Sequence, residues 1–102
     1  MGLFDFLFDK KRKKLQESIS EGAIILDVRT QMEWDAGHIK NAKHIPVTEL
    51  KNRIQEIEGL NKPIITYCKS GVRSAKAASY LNLNNFKAIN GGAYRSLSKI
   101  IS

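Results

Sequence analysis

Apolar residues along the chain occur in two patterns, short unbroken runs and regularly spaced positions. Residues 23–28 and 64–67 form nearly continuous apolar runs rich in isoleucine, which is typical of strands covered on both faces. Leu50, Ile54 and Ile57 recur at intervals of four and three, which marks the buried face of a helix. The pattern therefore predicts buried strands separated by amphipathic helices.

Shorter segments complete this pattern. Apolar stretches at 44–47 and 86–89 predict two further strands, and helix-forming residues predict helices at 10–21, at 74–81 and around Leu97. Because strands and helices alternate, we expect an α/β fold with a central parallel sheet and helices on both faces. The sheet has four readable strands, and the pattern leaves open a fifth short one near the N-terminus.

Composition supports one folded domain. The chain has 102 residues, of which 42% are hydrophobic and 26% charged, as in ordinary globular proteins. We divide it into an apolar and basic segment, residues 1–14, and a folded domain, residues 15–102. The single cysteine excludes an internal disulfide, and a free thiol suits a reducing compartment. We therefore expect a cytoplasmic protein.

The net charge of +7 is concentrated near the N-terminus, where residues 10–14 are all basic. An apolar stretch, residues 1–8, precedes this run, which is the wrong order for a secretory signal peptide. Packing of this segment onto the domain or onto a second copy is the favoured interpretation. A weak contact of residues 1–14 with a membrane surface is left open, so that the protein would be peripheral to a membrane, and nucleic acid is the less favoured partner.

The candidate chemistry centres on Cys68, which directly follows a buried run. The next residues, Lys69-Ser70-Gly71-Val72-Arg73, lead into a predicted helix. Backbone N–H groups of such a loop can converge on an anion, which the helix dipole also stabilises. A lone cysteine after a strand is commonly just a small buried hydrophobe. Two cations beside this thiol favour a reactive thiolate instead.

Charged residues also fall at the end of the first long apolar run. Asp27 and Arg29 lie at the edge where open parallel sheets place their ligands. We interpret Arg29 as an ion-pair partner rather than a substrate clamp. The two histidines, His38 and His44, lack the close spacing of metal ligands, so we expect no metal site.

Three separated stretches of the chain resemble the rhodanese-like domains, over about residues 15–94. The first is Asp27-Val28-Arg29 with Glu33-Trp34, Gly37-His38-Ile39, Ala42 and Ile45-Pro46. The second is the loop from Cys68 to Ser74, and the third is Asn90-Gly91-Gly92, which resembles the turn after the last strand. Many relatives carry a tryptophan shortly after the two glycines, where this chain has Tyr94.

The resemblance implies a sulfurtransferase. Cys68 would take sulfur from a donor such as thiosulfate or a polysulfide, hold it as a persulfide and pass it to a thiol or a thioredoxin-like protein, without metal or organic cofactor. Residues 69–73 would bind the outer sulfur and the anionic donor. In this family the loop arginine, here Arg73, commonly pairs with an acidic residue of the first stretch. Asp27 is our first choice and Glu33 the second.

Two other functions compete with this one. Four residues separate Cys68 from Arg73, whereas cysteine phosphatases of related folds have five, which gives a wider cradle for phosphate. The shorter loop therefore favours sulfur over phosphatase or arsenate chemistry. Two alternatives are a non-catalytic binding or regulatory module and a protein-to-protein sulfur carrier. The presence of Cys68 argues against a purely non-catalytic role.

Overall fold

The computed structural model describes residues 2–101, apart from the side chain of Phe4. A single sheet holds four parallel strands in the order β2-β1-β3-β4. The strands are Ile24–Asp27 (β1), Lys43–His44 (β2), Ile64–Cys68 (β3) and Ala88–Ala93 (β4). The helices are Leu3–Ser20 (α1), Gln31–Asp35 (α2), Leu50–Arg53 (α3), Val72–Leu83 (α4) and Tyr94–Ile101 (α5), with 3₁₀ turns at Val47–Glu49 and Ile54–Glu56.

The strand side chains alternate between two apolar cores, one on each face of the sheet. In β3, Ile64 and Cys68 pack in the core that includes Leu81 of α4, whereas Ile65 and Tyr67 pack in the core that includes Leu15 of α1 and Leu97 of α5. Both faces of the sheet are thus covered by helices. The predicted parallel α/β fold is confirmed, with four strands among residues 2–101.

The N-terminal helix is longer than the sequence predicted. It begins at Leu3 rather than near Lys10, and it runs without a break through the division that we drew between residues 14 and 15. Its second half packs on the domain through Leu15, while Leu7 and Phe8 in its first half are exposed. Of the helices within residues 2–101, none is long and apolar enough to cross a membrane.

The last strand also differs from the prediction, because β4 continues through Gly91 and Gly92 instead of turning there. The register between β3 and β4 shifts between Thr66 and Cys68. A Cβ on Gly91 would lie 2.7 Å from both the Ile65 Cγ2 atom and the Thr66 carbonyl oxygen. The glycine is therefore required by close packing inside the strand rather than by a turn.

Candidate active site

Cys68 ends β3, and its thiol lies at the N-terminus of α4. The Sγ atom accepts hydrogen bonds from the Gly71 N–H at 3.0 Å, the Ser74 N–H at 3.4 Å and the Ser74 hydroxyl at 3.4 Å. The first N–H groups of a helix have no partner within the helix, so the sulfur takes the place of a capping side chain. These donors from Gly71 and Ser74 form a cradle that suits a negatively charged sulfur atom.

The loop needs an unusual backbone to bring these donors together. Gly71 caps α4 in the left-handed region, at φ +98°, which favours glycine over residues with a side chain. A Cβ on Gly71 would also lie 3.3 Å from the Gly92 Cα atom. The loop therefore packs directly on β4, which holds the cradle in place.

The surroundings of Cys68 act on its acidity in opposite directions. Burial raises the pKa of the thiol, but hydrogen bonds from the Ser74 hydroxyl and from the backbone N–H groups of Ser74, Gly71 and Ser70 lower it. Together they leave the pKa of Cys68 below its ordinary value. The thiolate, which is the nucleophilic form, is thereby favoured.

Two residues outside the predicted set hold this cradle together. The Asn90 side-chain amide donates to the Gly71 carbonyl at 3.0 Å, and its Oδ1 atom accepts from the Ser74 hydroxyl at 2.7 Å and from the Gly92 N–H at 2.9 Å. Sequence reasoning assigned no role to Ser74 or Asn90. Their presence in two of the stretches quoted for the family resemblance was the available signal.

The loop arginine pairs with Glu33, so our first choice of Asp27 was wrong. The two guanidinium nitrogens of Arg73 lie 2.6 and 3.0 Å from the two carboxylate oxygens of Glu33. This fork-shaped pair lowers the pKa of Glu33 to about 2, while burial opposes the shift and hydrogen bonds from Thr30 add to it. Arg73 thus ties the loop to α2.

The carboxylate of Asp27 instead forms an ion pair with Arg29, two residues further along the chain. The carboxylate of Asp27 is fully buried and lies 2.6 Å from the Arg29 guanidinium, which also donates to the Gly37 carbonyl at 2.7 Å. The guanidinium lies over the rings of Tyr67 and Tyr94. The expectation that Arg29 is a strand-end ion-pair partner is confirmed.

The remaining predicted residues form the exposed rim of the loop. Lys69, Ser70 and Val72 have exposed side chains, and Val72 is 64% exposed. The Ser70 backbone N–H faces the sulfur, but its side chain is directed outward. The rim of the loop is therefore exposed, while Cys68 itself is buried.

The two histidines lie in a stack around Trp34 rather than beside the thiol. The rings of His38 and His44 stack on the indole with centroids 3.5 and 4.8 Å away. His44 Nε2 also lies 2.8 Å from the Arg29 carbonyl oxygen. Across residues 2–101, the side chains able to ligate a metal form no group of three.

Comparison with known proteins gives the chain a family context. A family model described as a rhodanese-like domain matches residues 11–95. Among curated proteins, the uncharacterized protein YqhL of Bacillus subtilis is 44% identical over 62 residues, which cover 61% of this chain and 48% of the relative. A tRNA uridine(34) hydroxylase of Buchnera aphidicola is 27% identical over 96 residues, which cover 85% of this chain and 31% of that protein. The chain thus spans half or less of these relatives.

Solved structures match over most of both chains. A rhodanese-related protein from Thermoplasma volcanium has a TM-score of 0.72 at 29% identity, covering 86% of this chain and 87% of the other. The human single-domain sulfurtransferase TSTD1 has a TM-score of 0.68 at 29% identity, covering 85% and 91%.

Proposed function

The chain belongs to the rhodanese-like domain family, and on that premise we propose that it is a sulfurtransferase that carries sulfane sulfur as a persulfide on Cys68. The observation that carries the proposal is the cradle of N–H and O–H donors around the Cys68 Sγ atom. Donors fixed by the fold stabilise negative charge without having to reorganise during the reaction. The thiol of the single cysteine must stay reduced for this reaction, which favours the cytoplasm as the compartment of the protein.

In the first step the Cys68 thiolate attacks the outer sulfur of a donor such as thiosulfate. A new S–S bond forms at Sγ, the S–S bond of thiosulfate breaks, and sulfite leaves with the electron pair. The outer sulfur then carries the negative charge. The N-terminus of α4 and the exposed cation Lys69 supply the positive potential for an anionic donor and for the persulfide.

In the second step an acceptor thiolate attacks the outer sulfur of the persulfide. The bond between the two sulfurs of the persulfide breaks, and its electron pair returns to Cys68 Sγ as the thiolate. The acceptor leaves as its own persulfide, a thiol or thioredoxin-like protein being the class we expect. The loop donors hold Sγ in the same position at the start and at the end of the cycle.

The first prediction tests this function directly. We expect the reduced protein to gain about 32 Da, one sulfur atom, after incubation with thiosulfate or polysulfide, and to turn over thiosulfate with cyanide as acceptor. Mass spectrometry of the intact protein measures the adduct, and thiocyanate release measures turnover. Both should vanish in Cys68→Ser.

Ser70→Ala serves as the matched control, because it changes a loop side chain and keeps the backbone N–H that faces the sulfur. This variant should retain the adduct and turnover. A folded, reduced wild-type protein that shows neither adduct nor turnover with either donor would reject the enzyme in favour of the non-catalytic binding module.

A further inference from the structure

A groove of about 470 Å³ lies between α1 and α5 and ends at the Cys68 loop. Clefts of this size hold small-molecule ligands in other proteins, and it is larger than thiosulfate needs. It is lined by residues of α1 and α5, by Ser70 of the Cys68 loop and by the end of β4.

The lining combines positive charge with an apolar surface. Lys11, Arg12 and Lys99 contribute three cations, against the one carboxylate of Asp9. Leu15, which is 2% exposed, belongs to the core beneath, and other apolar side chains extend this surface along the groove. A ligand that fits has an apolar portion and at least one anionic group.

The groove and the cradle share the Cys68 loop. Ser70 lines the groove, while its backbone N–H lies among the donors to the Cys68 sulfur. Gly92 also lines it and packs against Gly71, whose N–H donates to that sulfur. A molecule bound along the groove therefore reaches the loop that holds the Cys68 sulfur.

Several groove residues lie outside the part of the chain that matches the family model. That match covers residues 11–95, so Phe8 and Asp9 at one end of the chain and Lys99 and Ile100 at the other are additional to it. The shared catalytic loop does not by itself provide this surface. The groove is thus built partly from residues that flank the matched domain.

We propose that this groove binds the sulfur acceptor, a small thiol whose body is partly apolar and which carries carboxylate or phosphate groups. This proposal rests on the sulfurtransferase function. The anionic groups lie against Lys11, Arg12 and Lys99, and the thiolate attacks the outer sulfur of the Cys68 persulfide, which returns the electron pair to Sγ. The groove selects the acceptor, and the loop performs the transfer.

The basic run of α1 provides a matched control for this proposal. Lys11 lines the groove, whereas Lys13 and Lys14 in the same helix are not among its lining residues. Lys11→Ala with Lys99→Ala removes two positive charges from the groove, and Lys13→Ala with Lys14→Ala removes two from elsewhere. All four side chains are exposed, so both double variants should fold.

The binding test uses thioethers that cannot accept sulfur, S-methylglutathione for carboxylates and S-methyl coenzyme A for phosphates. We expect at least one to shift the NMR amide signals of Phe8, Ser70, Gly92 and Lys99 in the full chain. The groove variant should bind it at least tenfold more weakly, and the control within twofold of wild type. Binding of neither thioether, or equal weakening in both variants, overturns the proposal.

The kinetic test measures discharge of the persulfide by the free thiols, with 2-mercaptoethanol as a neutral acceptor. The groove variant should raise KM for the anionic thiol about tenfold at unchanged kcat, and leave 2-mercaptoethanol unaffected. If the persulfide forms but both double variants discharge it with the same KM, the proposed role of the groove is contradicted. The sulfurtransferase function is not contradicted by that result. Absence of any persulfide contradicts the sulfurtransferase function, while the thioether titration still decides whether the groove binds anions.

Discussion

The Ser74 hydroxyl has one hydrogen and two acceptors in reach. Asn90 Oδ1 lies 2.7 Å away and Cys68 Sγ 3.4 Å away. Because a thiolate is a stronger acceptor than a neutral thiol, deprotonation of Cys68 favours rotation of the hydroxyl toward the sulfur. Ser74 is therefore a positioning residue that responds to the charge of the nucleophile.

The second prediction concerns this hydroxyl. Ser74→Ala should raise the pKa of Cys68, since it removes the donor that lowers the pKa most. Below neutral pH the rate of alkylation by iodoacetamide should fall about three- to tenfold, because a hydrogen bond to a charged group contributes ~1 kcal/mol or more. At high pH, where the thiol is ionised in both proteins, the rates should converge.

Ser70→Ala is again the control for this measurement, because the N–H of residue 70 that faces the sulfur is retained. Its pH profile should overlay that of wild type. A profile of Ser74→Ala that also overlays wild type would show that the backbone donors alone set the acidity of Cys68.

At the scale of elements, the Arg73–Glu33 pair joins α4 to α2, and the sequence contained a signal for it. Thr30 and Glu33 form a reciprocal capping box at the start of α2, which fixes the direction of the Glu33 side chain. Asp27 has the same charge but is used by its near neighbour Arg29. Charge and order along the chain did not separate these two carboxylates, because the choice depends on where each side chain is already bonded.

The third prediction follows from the low pKa of Glu33, about 2 against an ordinary 4.5. A lowered pKa stabilises the fold above about pH 4.5, and this stabilisation is lost as the pH falls toward 2. Glu33→Gln should lower the free energy of unfolding by about 1–2 kcal/mol at pH 7, a figure reduced for the partial exposure of both side chains. The difference should disappear near pH 2, as measured by urea unfolding.

Glu21→Gln provides the comparison, because Glu21 pairs with Lys87 on the surface at 3.4 Å. It should leave stability nearly unchanged at both pH values. If Glu33→Gln also left stability unchanged, the pair with Arg73 would contribute nothing measurable to the free energy of unfolding.

The strands were predicted well where apolar runs were continuous, and less well where packing overrode local preference. β1 and β3 follow from the isoleucine-rich runs. The end of β4 was missed because paired glycines usually indicate a turn, whereas here Gly91 is required by contact with β3 and Leu97. That contact joins positions distant in sequence, and local propensity does not contain it.

The fourth prediction uses this contact. Gly91→Ala should destabilise the fold by about 2–3 kcal/mol, because its Cβ would overlap the Ile65 side chain and the Thr66 carbonyl. Gly92→Ala should cost only about 1–2 kcal/mol, since its Cβ meets open space and the penalty comes from its φ of +87°. Urea unfolding measures the free energy of unfolding of both variants. A larger loss in Gly92→Ala than in Gly91→Ala would contradict the packing described for β4.

At the scale of the whole molecule, the two apolar cores support different functional parts of the protein. The core that contains Cys68 also contains Leu81 of α4, so it directly supports the catalytic loop. The opposite core contains Leu15 of α1 and Leu97 of α5, the two helices that form the groove. One core therefore supports the catalytic loop, and the other supports the two helices of the proposed acceptor groove.

The fifth prediction tests whether α1 belongs to the folded unit. Leu15→Ala should lower the free energy of unfolding by about 2–4 kcal/mol, because this side chain is 2% exposed. Leu7→Ala, in the same helix but half exposed, should change it by less than about 1 kcal/mol. Equal, small effects would mean that α1 is an appendage to the folded unit.

The cradle draws on residues that are far apart in chain order, and this has a consequence for folding. Each strand pair is parallel, so no pair can form as a simple hairpin, and Asn90 is synthesised after the loop that it holds. In the growing polypeptide Cys68 is therefore an ordinary thiol, with the pKa of an unperturbed cysteine. The cradle is complete only when β4 docks and Asn90 binds the Gly71 carbonyl and the Ser74 hydroxyl. A nascent or misfolded chain thus lacks the complete cradle, and the acidity of the Cys68 thiol reports whether folding is complete.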